Sequence, residues 1–136
     1  MAMVNGSSHP KPRNVLGGEL EMCCKEPLTG FFRDGYCRTN TEDIGLHVIC
    51  AEVTELFLNY SRAQGNDLST PRPEYSFPGL KPGDRWCVCA ERWLEAYEDG
   101  VAPRVILAAC HEKALEVVSL DILKRFALDG DGASGS

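Results

Sequence analysis

The sequence predicts a single α+β domain: a mixed sheet of about five strands, three helices packed on it, and a long ordered proline-rich loop folded across one sheet end. Three observations lead there. With 136 residues the chain is long enough for one well-buried core and too short for two ordinary domains. Short apolar runs alternate with segments of helical period that carry helix start and stop residues. Between them, residues 65–84 have no period at all, and a stretch of that length inside a compact domain is usually functional or disordered. Tyr75, Phe77 and Leu80 can anchor it, and prolines at 71, 73, 78 and 82 stiffen it, which favours an ordered flap over a floppy linker.

Residues 1–13 and 129–136 are rich in small and polar side chains with little to bury, so both read as disordered tails around a folded body from Asn14 to Leu128. In FFRDGYC (31–37), Asp34-Gly35 between aromatics suits the tight type I′ turn of a hairpin. LHVICAEV (46–53) is largely apolar on both faces, the pattern of an interior strand. Thr54 can cap a helix that runs to Gln64, with Leu56, Phe57, Tyr60 and Ala63 on one stripe and Gly65 just past its end. After the long loop, Lys81-Pro82-Gly83-Asp84 turns the chain into a strand from Arg85 to Ala90. Its period of two sends Trp86, Val88 and Ala90 one way and Arg85, Cys87 and Cys89 the other. The helix over 91–99 points Trp93, Leu94 and Tyr97 inward and stops at Gly100, ahead of Pro103. A strand over 104–109 follows, then a turn or short helix at 111–114 and an extended piece from Leu115 to Val118. Ser119 caps a last helix that buries Leu120, Leu123 and Phe126.

Composition narrows the function. An apolar fraction of 43% and a charged fraction of 25% are those of a globular protein. No apolar run approaches the roughly eighteen residues that cross a bilayer, so no membrane partner is expected. A net charge of -6, with Lys and Arg scattered in ones and twos, offers no continuous basic surface for phosphates and argues against nucleic acid. A small anionic ligand stays open through local arginines, and the oligomeric state is left open. The first residues lack both the apolar segment of a secretory signal and the character of a transit peptide, which makes the cytosol the expected compartment. The nucleophile elbow, phosphate loop, dinucleotide fingerprint, zinc-protease helix and calcium loop are all absent as motifs.

Seven cysteines demand an account. Their odd number and the absence of an export signal favour reduced thiols over a complete disulfide framework. Cys87 and Cys89 share one strand face, their Cα atoms about 6.6 Å apart with parallel side chains, which is poor geometry for a bond between them. They can share a metal, act as nucleophile and resolving thiol, or simply pack as small apolar residues. Folding could also gather Cys23, Cys37, Cys50 and Cys87 into a zinc site, although the close C-x2-C pairs of structural zinc are absent. Iron–sulfur ligation has no supporting spacing. His47 and His111 are candidate bases or plain structural histidines, and Cys110, His111 and Glu112 stand in line as thiol, imidazole and carboxylate. Arg33, Asp34, Arg72 and Arg85, in or beside turns, can hold a carboxylate or phosphate, or end in surface ion pairs. Asn66 and Asp67 open a polar stretch that either meets a ligand or caps its own loop.

Four segments together, NVLGGELEMCCKEPLTGFFRDGYC (14–37), GLHVICAEVT (45–54), GNDLSTPRPEYSFPGLKPGDRWCVCA (65–90) and HEKALEVVSLDILK (111–124), resemble a family of small, mostly bacterial proteins catalogued as domain of unknown function 2237. The resemblance spans nearly the whole body and implies no assigned activity. It places Cys23, Cys37, Cys50, Cys87, Cys89, His47 and His111 on family motif positions, whereas Cys24 and Cys110 stand where serine and threonine are common. That departure turns attention from Cys110 to Cys37 or Cys87.

The leading expectation is a cytosolic thiol-dependent protein that binds or acts on a small anionic metabolite. Cys37 or Cys87 would be the thiolate, His47 or His111 the base, and Arg33, Arg72 or Arg85 the anion holder, with Asp34, Asn66 and Asp67 beside them. No cofactor is required. The alternatives are a zinc-stabilised, non-catalytic protein-binding module and a structural interaction protein with core cysteines.

Overall fold

The structure is a computed structural model that describes residues 12–129, except 26, 27, 44 and 76, with Tyr75 by its backbone alone. Its architecture is α+β. In chain order the elements are β1 (His47–Glu52), α1 (Glu55–Ala63), β2 (Arg85–Cys89), α2 (Ala90–Glu98), β3 (Arg104–Val105) and α3 (Leu120–Arg125). Both pairings in the sheet, ordered β2-β1-β3, are antiparallel. Central β1 is buried along Val48, Ile49, Cys50 and Ala51, which is what its unbroken apolar run demands. Among the described residues no helix is long and apolar enough to cross a membrane.

The sheet has three strands, not the mixed set of about five that the sequence suggests. Three segments account for the difference. Residues 30–36 form turns and bends instead of a hairpin. There the Asp34 carboxylate accepts from the Tyr36 N–H, Gly35 donates to the Thr29 carbonyl, and Phe31 and Phe32 stay exposed. The 104–109 run leaves the sheet after Val105 because Leu107–Ala109 tightens into a 3-10 turn. The Asp129 carboxylate fixes that turn, accepting from the N–H groups of Leu107 and Ala108 at 2.7 and 2.9 Å. Glu112–Glu116 is likewise a 3-10 helix, so the piece read as extended from Leu115 begins inside a helix.

The helices follow their end residues. Thr54 accepts from the Phe57 N–H and Ser119 from the Ile122 N–H, caps worth about 1 kcal/mol each. Gly65 and Gly100 take positive φ just past α1 and α2, as helix-ending glycines do. On α1 the inward face is Phe57, Leu58 and Ser61, while Leu56 is 61% exposed; the stripe is turned by one residue from the one expected. On α2 Trp93 is fully buried, its indole N–H donating to the Pro103 carbonyl at 3.1 Å. Its ring stacks on Tyr97 and meets Phe126 edge-on, which ties α2 to the end of α3.

The 65–84 loop is ordered by its own bonds. Arg72 and Phe77 exchange backbone hydrogen bonds around a Pro73–Tyr75 3-10 turn, and Leu80 donates to the Leu68 carbonyl. Leu80 is buried and Phe77 packs on Trp86 at 5.1 Å. The expected anchoring by Tyr75 lies outside the described side chains. Most of the two expected tails also lies outside the described residues; of them, Pro12, Arg13 and Asp129 are described, and each makes hydrogen bonds to the body.

Cysteine pairing departs from the expectation of reduced thiols. Cys23 bonds Cys50 and Cys37 bonds Cys87, with Cα separations of 5.6 and 5.3 Å. Each bond ties the irregular N-terminal third to the sheet, because Cys50 lies in β1 and Cys87 in β2. Cys24, Cys89 and Cys110 remain free.

Candidate functional site

A cleft of about 270 Å³ runs beside edge strand β2, lined by Trp86, Cys87, Val88 and Cys89 together with Gly30, Arg33, His47, Asn66, Leu68 and Arg92. Each wall has a local cause. Arg33 holds a positive φ of 53°, donates to the Gly30 carbonyl at 2.9 Å and lies with its guanidinium 5.2 Å from the Trp86 ring centre. Asn66 is set at the end of α1, where Ser61 accepts from its backbone N–H and donates its hydroxyl to its carbonyl. Arg92 projects from the first turns of α2 and reaches the Gln64 carbonyl at 3.2 Å. Two guanidinium groups therefore face a space also lined by an indole and a primary amide.

At the floor, His47 and Cys89 are direct partners across β1 and β2, next to a register irregularity between His47 and Ile49. Bulges of this kind re-aim side chains and are common beside active sites. Leu46, just before the strand, holds a φ of 50°. A methyl group added to Gly45 would meet His47 Cε1 at 3.0 Å and Cys89 Sγ at 3.5 Å, so imidazole and thiol border the same small space. Cys89 is a free, half-buried thiol.

Behind the imidazole stands Asp43, a residue only 2% exposed. Its Oδ1 lies 2.7 Å from His47 Nδ1, and its Oδ2 accepts from the His47 backbone N–H at 2.9 Å and from the Thr39 hydroxyl at 3.0 Å. A carboxylate so placed fixes the proton on Nδ1 and leaves Nε2 as an acceptor. The Asp43 carboxylate thus orients the His47 imidazole, and the Cys89 thiol stands at the partner position across the two strands.

The residues expected from the sequence divide between cleft and elsewhere. His47, Arg33, Asn66 and Cys87 line the cleft. Cys37 and Cys87 are bonded to each other, 0% and 1% exposed, so neither offers a thiolate in this state; the half-buried Cys89 is the free thiol that lines the cleft instead. His111 does not line the cleft. Its backbone N–H joins β1 at Val48, its Nδ1 accepts from the Lys113 N–H at 3.0 Å, and burial holds its pKa below the ordinary value. It is a helix cap. Cys110 is buried beside the Cys50 carbonyl, and desolvation pushes its thiol up to about 12. Asp34 pairs with Arg38 and Arg85 with Glu52, while Arg72 contributes backbone bonds to the loop. Asp67 accepts from the Thr70 hydroxyl and the Ser69 N–H, which holds its carboxyl below the usual range; it caps its own loop.

Sequence reasoning missed Asp43 and Arg92, and it weighed Cys89 only as a companion of Cys87, not as the free thiol of the cleft. The four-residue spacing of Asp43 and His47 was visible, but it carries weight only once the loop before β1 is seen to fold back. Arg92 had no sequence signature apart from its place on α2.

A family model described as an uncharacterised protein conserved in bacteria, domain of unknown function 2237, matches residues 13–127. The chain belongs to this family. The match covers every element of the domain of unknown function 2237 fold described above, the cleft included. No curated protein matches the chain.

Proposed function

We propose that this domain of unknown function 2237 protein is a thiol-dependent one that binds or acts on a small anionic molecule in the cleft beside β2. The observation that carries the proposal is the cross-strand pair of Cys89 and His47, with the buried Asp43 carboxylate at 2.7 Å behind the imidazole. In this scheme His47 Nε2 takes the proton of the Cys89 thiol, and Asp43 stabilises the imidazolium that results. The sulfur then adds to a carbonyl carbon of the bound anion, the C–O π pair moves onto the oxygen, and that oxygen takes the proton back from the His47 imidazolium to give a hemithioacetal. Arg33 and Arg92 hold the negative charge, since a guanidinium pairs with carboxylate or phosphate through two parallel hydrogen bonds. Asn66 supplies both a donor and an acceptor for orientation. Trp86 gives an apolar surface for the rest of the ligand. A cytosolic location keeps Cys89 reduced and ready.

Protection of Cys89 tests the anion site. Inorganic phosphate or a small dicarboxylate at millimolar concentration slows alkylation of Cys89 by iodoacetamide several-fold, and Arg92→Gln removes the protection. Equal alkylation rates with and without either anion contradict the assignment of the arginines.

A further inference from the structure

We infer that Cys23, Cys37, Cys50 and Cys87 form a tetrathiolate site that takes one zinc ion when the two disulfides are reduced. The arrangement of sulfur goes beyond what two separate staples need. Cys50 and Cys87 are direct Cα partners across β1 and β2, so their side chains leave the same face of the sheet about 5 Å apart. Cys23 and Cys37 come down on that pair from the covering N-terminal segment, where the Cys23 N–H donates to the Gly35 carbonyl at 2.7 Å. Each covering cysteine bonds one strand cysteine. Even so, the sulfurs of Cys23, Cys37 and Cys87 lie within 4.8 Å of one another, which brings sulfur of one disulfide against both atoms of the other.

Those spacings suit a metal. Zinc bound to four thiolates at about 2.3 Å sets the sulfurs about 3.8 Å apart; three of the four sulfurs already lie within 4.8 Å of one another, and Cys50, held next to them by its bond to Cys23, turns in as the fourth when that bond opens. All four residues are at most 5% exposed, the closed setting of a structural rather than catalytic zinc. Four sulfurs and no oxygen or nitrogen in the set select a soft tetrahedral ion. The rigid cross-strand pair supplies the orientation that short C-x2-C loops supply in other zinc proteins.

The chemistry balances with a named reductant. A dithiol in the cell gives two electrons and two protons to each disulfide and closes to its own disulfide; a phosphine in the test tube gives the two electrons and becomes the phosphine oxide, water supplying its oxygen and the two protons. Zinc then displaces one proton from each of four thiols, leaving a tetrathiolate complex of net charge minus two. The cytosol's reducing poise favours the open thiols. Oxidation by a disulfide or a peroxide reverses the change and releases the ion.

Cobalt binding by the full chain is the test. Phosphine-reduced protein takes up one cobalt ion with the intense visible bands of tetrahedral sulfur ligation, and zinc displaces it. Bound zinc shields four of the seven cysteines from alkylation. Cys37→Ser and Cys50→Ser each weaken binding by more than the roughly 100-fold cost of losing an outer-shell partner, whereas Cys24→Ser and Cys110→Ser leave it unchanged. A reduced wild-type protein without the tetrahedral spectrum and with seven alkylatable thiols in the presence of zinc overturns the inference, and so does binding that survives both ligand substitutions. The wild-type spectrum and thiol count decide the matter even where a variant fails to fold.

Discussion

Replacing His47 with Gln slows alkylation of Cys89 by iodoacetamide at neutral pH about 10- to 100-fold, since a positioned base contributes at least this much to proton removal in related chemistry. Gln keeps polar atoms in the space and leaves the β1–β2 pairing intact, because it is the backbone that makes the ladder. Asp43→Asn is the sharper probe. The amide fits the same buried volume, but either its oxygen keeps the bonds from the His47 N–H and the Thr39 hydroxyl and its N–H2 group turns toward Nδ1, or its oxygen faces Nδ1 and both of those bonds are lost. Either arrangement replaces the carboxylate behind the imidazole with a neutral amide, so the rate falls toward that of the Gln variant. Mass spectrometry of peptides after timed alkylation checks both. Rates unchanged in both variants would make the pair a structural contact and Cys89 an ordinary thiol.

Trp93→Ala lowers stability by about 3–5 kcal/mol, the range for removing a buried large aromatic. Three losses combine. The side chain is 0% exposed, its indole N–H leaves the buried Pro103 carbonyl without a donor, and the ring contacts with Tyr97 and Phe126 vanish. Against a typical total of about 5–15 kcal/mol, the melting temperature falls on the order of 15 °C. Leu56→Ala, on the exposed face of α1, changes stability by about 0.5 kcal/mol or less. Thermal and urea denaturation of the two variants side by side check the orientation of α1 as well as the cost of the cavity. A Leu56→Ala variant as damaged as Trp93→Ala would restore the stripe first read from the sequence.

Much of the scaffold was legible because its determinants are local. Thr54, Ser119, Gly65 and Gly100 mark helix ends through bonds made within a few residues, and the apolar run of β1 needs only a cover on each face. The misreadings share a cause in distant partners. Asp34-Gly35 does turn the chain, with Gly35 at a φ of 91°, but Gly35 itself donates to the Thr29 carbonyl and accepts from the Cys23 and Cys24 N–H groups, bonds a two-residue hairpin turn would not make. The 104–109 segment has strand composition, yet a carboxylate twenty-two residues further on, Asp129, draws Leu107 into a turn. The stripe on α1 slipped because Leu56 and Phe57 are both apolar, and only the packed sheet decides which faces inward.

Site residues divide along the same line. His47 and the cysteines stood out by residue type alone. What pairs His47 with Cys89, and not with Cys87, is the strand register, and the register follows from the irregularity next to His47. On the far side of that irregularity the regular register sets Cys50 opposite Cys87, so the shift separates the pairing that places the free thiol from the one that places the buried sulfur cluster. Sequence alone could offer the residue types for each, while the partition of cysteines between them required the fold.

The central claim is that Cys89 is the activated thiol, and limited alkylation of the native, full-length protein tests it most directly. A substoichiometric pulse of iodoacetamide, followed by denaturation and peptide mapping, ranks every free cysteine in one experiment. The account predicts label on Cys89 well ahead of Cys24, which has similar exposure, and ahead of Cys110, which burial keeps protonated. Label that reaches Cys24 first, or Cys24 and Cys89 equally, would contradict it.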